Sequence, residues 1–81
     1  MNNLYQRIKH NLQCLPPKDA ELCKQFLERR DFEKLCEIVK SCLFMKRKDD
    51  HKALHKEKWL NVDRDKLEQL VLDVIEYSSY L

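Results

Sequence analysis

No glycine and no threonine occur among these 81 residues, and proline occurs only as Pro16-Pro17. A chain without glycine has poor access to left-handed backbone, so tight hairpins are disfavoured and helices joined by short polar loops are expected. The same absence removes every glycine-rich phosphate cradle. No apolar run approaches the length of a membrane span, and Met1-Asn2-Asn3 does not open a signal-peptide pattern. An excess of one charge is missing too: the net charge of +2 is too small to demand a nucleic-acid partner. Charged residues at 37% against 43% hydrophobic give the balance of a folded domain, and the length fits one. With no secretory pattern, Cys14, Cys23, Cys36 and Cys42 are expected reduced in a cytoplasm.

What is present centres on Asp31 to Lys48. Phe32, Leu35, Cys36, Val39, Cys42 and Leu43 recur at three- and four-residue steps, the repeat of a helix and not of a strand. Ile38 and Met45 widen that stripe, so the helix should bury itself against more than one neighbour. Asp31 is placed to cap it, since its carboxylate can accept an unpaired backbone N–H. At about 1.5 Å per residue the helix would run about 27 Å. The folded chain should have a radius of gyration of about 12 Å, so this one helix would cross the domain.

The rest of the chain supplies its partners. Leu4, Ile8 and Leu12 step by four and predict a helix over 2–13, capped by Asn2 or Asn3. Pro16-Pro17 stops it, and Pro17 can open the next helix, 17–29, with Asp19 and Glu21 in its first turn. Ala20, Cys23, Phe26 and Leu27 form the inner stripe of that second helix. One unbroken helix from Pro17 to Lys48 is the alternative, and the charged pair Arg30-Asp31 favours the break. A last helix, 63–79, is capped by Asp63, with Val62 and Leu67 spaced as a hydrophobic staple and the stripe continuing to Leu81. The expected fold is an all-α bundle of about four helices with short polar connections.

Residue types that carry chemistry fall in patterns that do not support it. His51 and His55 are four apart, but with Cys36 and Cys42 they match no standard zinc spacing, so no metal site is expected. Cys36 and Cys42 lie on divergent faces of one helix and cannot bridge. Nothing marks a cysteine as activated, and Ser41, Ser78 and Ser79 lie in no nucleophile motif. A useful pocket is also hard to build in so short a chain. No catalytic residue, cofactor or metal is therefore assigned, and the chain is read as not an enzyme.

Two features could carry function. Lys46, Arg47, Lys48, Lys52, Lys56 and Lys58 set six cations against Asp49, Asp50 and Glu57, leaving +3. With Trp59 as a stacking surface they could contact phosphates. The interleaved acids favour the plainer reading, a solvated connector with Trp59 turned into the core. The second feature is the apolar residues beside the main stripes: Phe44, Met45, Leu72, Ile75, Tyr77 and Tyr80. A domain this small has little room to bury them all, and left outside they would mark a protein interface or a homodimer seam. Internal packing of the same residues is the equal alternative.

Some stretches resemble short uncharacterised helical proteins of gut bacteria and their mobile elements. The residues concerned are Leu15-Pro16-Pro17-Lys18-Asp19, Phe26 through Leu35, Val39-Lys40-Ser41, Val62-Asp63 and Lys66-Leu67. They are helix-boundary and core positions. The resemblance implies a similar helical fold and a bacterial or phage cytoplasmic setting, and it brings no catalytic or binding residue. The function expected is a non-catalytic protein-interaction module, self-associating or bound to another protein. Weak nucleic-acid binding through the basic segment 46–58 is the alternative, and no membrane contact is expected.

Overall fold

Two carboxylates set the chain's main boundaries. The computed structural model describes residues 3 to 80. Asp31 accepts the Lys34 N–H at 3.3 Å and starts the long helix, while Asp63 accepts the Asp65 and Lys66 N–H groups at 2.9 and 3.3 Å and starts the last. In chain order the helices are α1 Asn3–Asn11, α2 Pro17–Glu28, α3 Phe32–Lys52, α4 Glu57–Leu60 and α5 Arg64–Ser79. A 3₁₀ turn over Leu12–Cys14 follows α1. No strand is present among the described residues, and the architecture is the expected all-α bundle with a short fifth helix added.

The break at Arg30-Asp31 is real, and it uses backbone the composition argued against. Arg30 has φ 59°, and the chain closes there as a Schellman turn: the Asp31 N–H reaches the Phe26 carbonyl at 2.9 Å and the Arg30 N–H that of Leu27 at 3.1 Å. Ala53, φ 51°, closes α3 the same way, with the Leu54 N–H on Asp49 and the Ala53 N–H on Asp50. His55, φ 53°, follows. Among the described residues three non-glycine residues therefore take the left-handed conformation to which a chain without glycine was expected to have poor access. Each helix end gains paired carbonyls that offset the steric cost.

Two boundaries differ from those read in the sequence. The regular part of α1 ends at Asn11, because Pro16 holds Leu15 extended (φ −81°, ψ 160°) and the residues before it tighten into the 3₁₀ turn. Helix α3 runs four residues past Lys48, since its late charges are neutralised: Lys46 pairs with Asp50 at 2.9 Å, and the buried Asp49 accepts the Lys56 N–H at 3.2 Å. The cap expected from Asn2 and the stripe's last member, Leu81, lie outside the described residues.

Helix α3 is the spine. It packs on α2 along one flank and most extensively on α5 along another, while α1 lies against α5. The core is one cluster in which Ile8, Leu27, Leu35, Val39, Leu67, Leu70 and Val74 are fully enclosed. The staple pair Val62 and Leu67 is buried, as is Trp59. The radius of gyration is 12.3 Å and the long dimension 38 Å, so α3 spans most of the molecule.

Candidate functional site

The apolar residues outside the main stripes divide into three sets. Phe44, Leu72 and Ile75 are 66%, 59% and 42% exposed, a large apolar area for so small a molecule. Helices α3 and α5 run antiparallel: Arg64 reaches Asp50 at 3.8 Å near one end, and the Phe32 ring meets that of Tyr77 at 5.2 Å near the other. Between these anchors Arg47 binds Glu68 at 3.2 Å. One turn from Arg47 toward the middle of α3 lies Phe44, and one turn from Glu68 toward the middle of α5 lies Leu72. The two therefore stand at about the same level on one outer face, with Ile75 a turn beyond.

The other members of the expected set sit elsewhere. Met45 projects about 100° around α3 from Phe44 and is 38% exposed. Tyr80, 72% exposed, ends α5 with its hydroxyl 3.4 Å from Glu76 Oε2. Tyr77 stands apart from the exposed members. It is half-buried, its ring edge-on to Phe32 and 5.9 Å from Tyr5, because α1 and α3 both close on its flank of α5.

The basic segment is divided between the interior and the surface. Lys46 is 8% exposed, with Nζ donating to the Trp59 carbonyl at 3.0 Å and paired with Asp50, so it belongs to the interior. It falls on the inner stripe after Val39, Cys42 and Leu43, a position that its charge disguised. Arg47 is held by Glu68, and Lys58 lies 3.5 Å from Asp19 and over the Trp59 ring at 5.2 Å. Trp59 is buried and offers no face for stacking. Lys48, Lys52 and Lys56 are exposed and make no ion pair among the described residues. A third buried charge besides Lys46 and Asp49, Asp73, lies on α5 and binds Arg7 of α1; the visible signal was an acid set between Leu70 and Val74 on the inner stripe.

A cleft of about 840 Å³ opens between the 3₁₀ turn with the start of α2 and helix α4, more space than the chain length suggested. Cys14, Pro17, Lys18, Glu57, Lys58 and Asn61 are among its lining residues. Burial pushes the Cys14 thiol up from its usual range. It pushes Cys23 to about 12 and Cys42 to about 11, with smaller contributions from nearby acidic groups, so both hold their protons at neutral pH. All four thiols are free. Among the described residues no group of three His, Cys, Asp or Glu side chains is placed to hold a metal ion. His51 lies in the last turn of α3 and His55 beyond its end, so the two do not share a helix face.

No family model, curated protein or solved structure matches this chain.

Proposed function

We propose that the protein is a protein-interaction module whose contact surface is the outer face of α3 and α5. One observation carries this: Phe44 and Leu72, each more than half exposed, stand level on neighbouring helices and share one face. Exposed apolar residues scattered singly need no explanation, whereas three grouped on a two-helix face are the composition of an interface centre. Arg47 and Glu68 beside them supply a polar rim. The interior does not need these side chains, since the core closes without them. No helix among the described residues is long and apolar enough to cross a membrane. The free thiols fit a reducing cytoplasm, and the resemblance noted above adds a bacterial or mobile-element setting to the reading.

Photo-crosslinking in cells tests it. A benzophenone side chain at position 44 or 72 should give discrete protein adducts, and the same group at Lys52 should not. Equal labelling from all three positions, or none from any, would remove the α3–α5 face from consideration.

A further inference from the structure

The occupant of this face follows from how its charges are sorted; the inference rests on the interaction reading above. The outer column of α3 carries Lys40, Phe44, Arg47 and Lys48, all exposed. The facing column of α5 carries Glu68, Leu72, Ile75 and Glu76, of which Glu68 is half-buried and the rest exposed. Flanking the shared apolar centre, α3 thus presents the cations Lys40, Arg47 and Lys48 and α5 the acids Glu68 and Glu76, with Glu37 the one acid further along the α3 column. The Arg47–Glu68 pair fixes their levels. Glu37, Lys40 and Ser78 line a common depression, which fixes them again further along. By this register Lys40 stands level with Ile75 and Glu76, and Phe44 with Leu72.

We infer that the face binds a second copy of this chain, related by a two-fold axis parallel to α3 and α5. Rotation about that axis preserves level and lays α3 of each copy over α5 of the other, antiparallel to it. Lys40 then meets Glu76 of the partner subunit, and Phe44 meets Leu72 of the partner subunit. Arg47 comes over the partner's Glu68, and Glu37 falls near the partner's Ser79. Every charged contact is complementary and each occurs twice, as an isologous interface requires. The four helices form a layer pair in which all neighbours are antiparallel.

Charge also excludes the other two-fold arrangement. An axis across the helices would set α3 on α3 and α5 on α5. Lys40 would then oppose the partner's Lys48, and Glu76 the partner's Glu68. The shared face is about 24 Å long and about two helix diameters, ~20 Å, wide. It covers on the order of 500 Å² per copy, at the low end for a specific interface. A contact this small fits a weak, reversible dimer.

The test is made on the purified full chain. Sedimentation equilibrium from about 1 μM to about 1 mM should show the mass rising from 9.9 kDa toward twice that value. Lys40→Glu and Glu76→Lys should each weaken association roughly tenfold, because each symmetric dimer then carries two like-charge contacts. An equimolar mixture of the two variants should associate as the natural chain does, since both contacts become opposite in sign. Rescue on mixing cannot come from changes inside one chain. A natural chain that stays monomeric throughout the range overturns the inference whatever the variants do. Variants that associate normally, or a mixture that stays monomeric, overturn the two-fold arrangement. Cellular adducts from position 44 to a different protein alone would refute the second copy and leave the interaction module standing; absence of any adduct would remove both.

Discussion

The Arg7 guanidinium grips both oxygens of Asp73, Nε at 3.0 Å from Oδ2 and Nη2 at 2.9 Å from Oδ1, and so ties α1 to α5 across 66 positions of sequence. Asp73 is 1% exposed and also accepts from Gln69 Nε2 at 2.9 Å. The neighbouring carboxylate holds the Arg7 guanidinium above its ordinary pKa, through the hydrogen bonds first and the charge second. Asp73→Asn keeps the shape but loses the charge that makes the fork strong. It should lower unfolding free energy by about 1–3 kcal/mol in urea titrations. Arg7→Ala should lower the melting midpoint as well, and the double variant should fall short of the sum. Additive losses would mean that the two residues do not act as a pair.

Left-handed backbone at Arg30 and Ala53 is held by Schellman hydrogen bonds rather than by residue preference. A Cβ in that region costs about 1–2 kcal/mol, and glycine avoids the cost while adding some freedom to the unfolded chain. Arg30→Gly and Ala53→Gly should each therefore raise stability by about 0.5–1 kcal/mol. Ala53→Val should lower it. Destabilisation by both glycines would show that the turns owe nothing to strain at these positions.

These same turns mark where the sequence could be read and where it could not. Asp31 and Asp63 were legible as caps because a short carboxylate before an apolar repeat has one structural use. Val62 and Leu67 were legible as a staple for a similar reason. The end of α3 was not. Its last turns look like a charged loop until Lys46 is seen to neutralise Asp50 and Asp49 to hold the backbone of Lys56, contacts that depend on the chain doubling back. Lys46 and Asp73 were hidden because a charge on an inner stripe reads as an interruption, whereas its partner comes from elsewhere in the fold. Phe44, Leu72 and Ile75 could be named as surplus to the core, but their common level needed the antiparallel register of α3 and α5. Tyr77 was placed among them because periodicity does not show which flank of α5 a third helix covers.

Lys46 and Lys48 offer a direct contrast between two lysines separated by one residue. Lys46 is buried with its ammonium divided between the Trp59 carbonyl and Asp50, while Lys48 is exposed. Lys46→Ala removes a buried stem, takes from the Trp59 carbonyl the side-chain donor it accepts alongside the Val62 N–H, and breaks the pair with Asp50. It should cost about 2–3 kcal/mol. Lys48→Ala should change stability by less than about 0.5 kcal/mol. Thermal denaturation of the two variants separates these outcomes, and equal effects would contradict the buried position of Lys46.

Alkaline pH should unfold this protein partly through its thiols. Burial raises Cys23 from its ordinary 9.0 to about 12 and Cys42 from 9.0 to about 11. Below pH 9 both thiols are protonated, folded or unfolded, and their contribution to stability is fully present. Above pH 9 the unfolded chain releases protons that the folded chain retains, so the folded state binds more protons and stability falls as pH rises. The loss continues until the folded thiols ionise, near pH 11 for Cys42 and near 12 for Cys23. Each group contributes about 1.4 kcal/mol per pH unit within its window, so the two together steepen the decline by about 2.7. A variant isolates the contribution of the two thiols. Cys23→Ala with Cys42→Ala should be less stable at neutral pH because it leaves cavities, yet its stability should fall less steeply between pH 9 and 11. Urea titrations at half-unit steps measure both slopes. Parallel curves would show that these thiols are no harder to ionise in the fold than in the open chain.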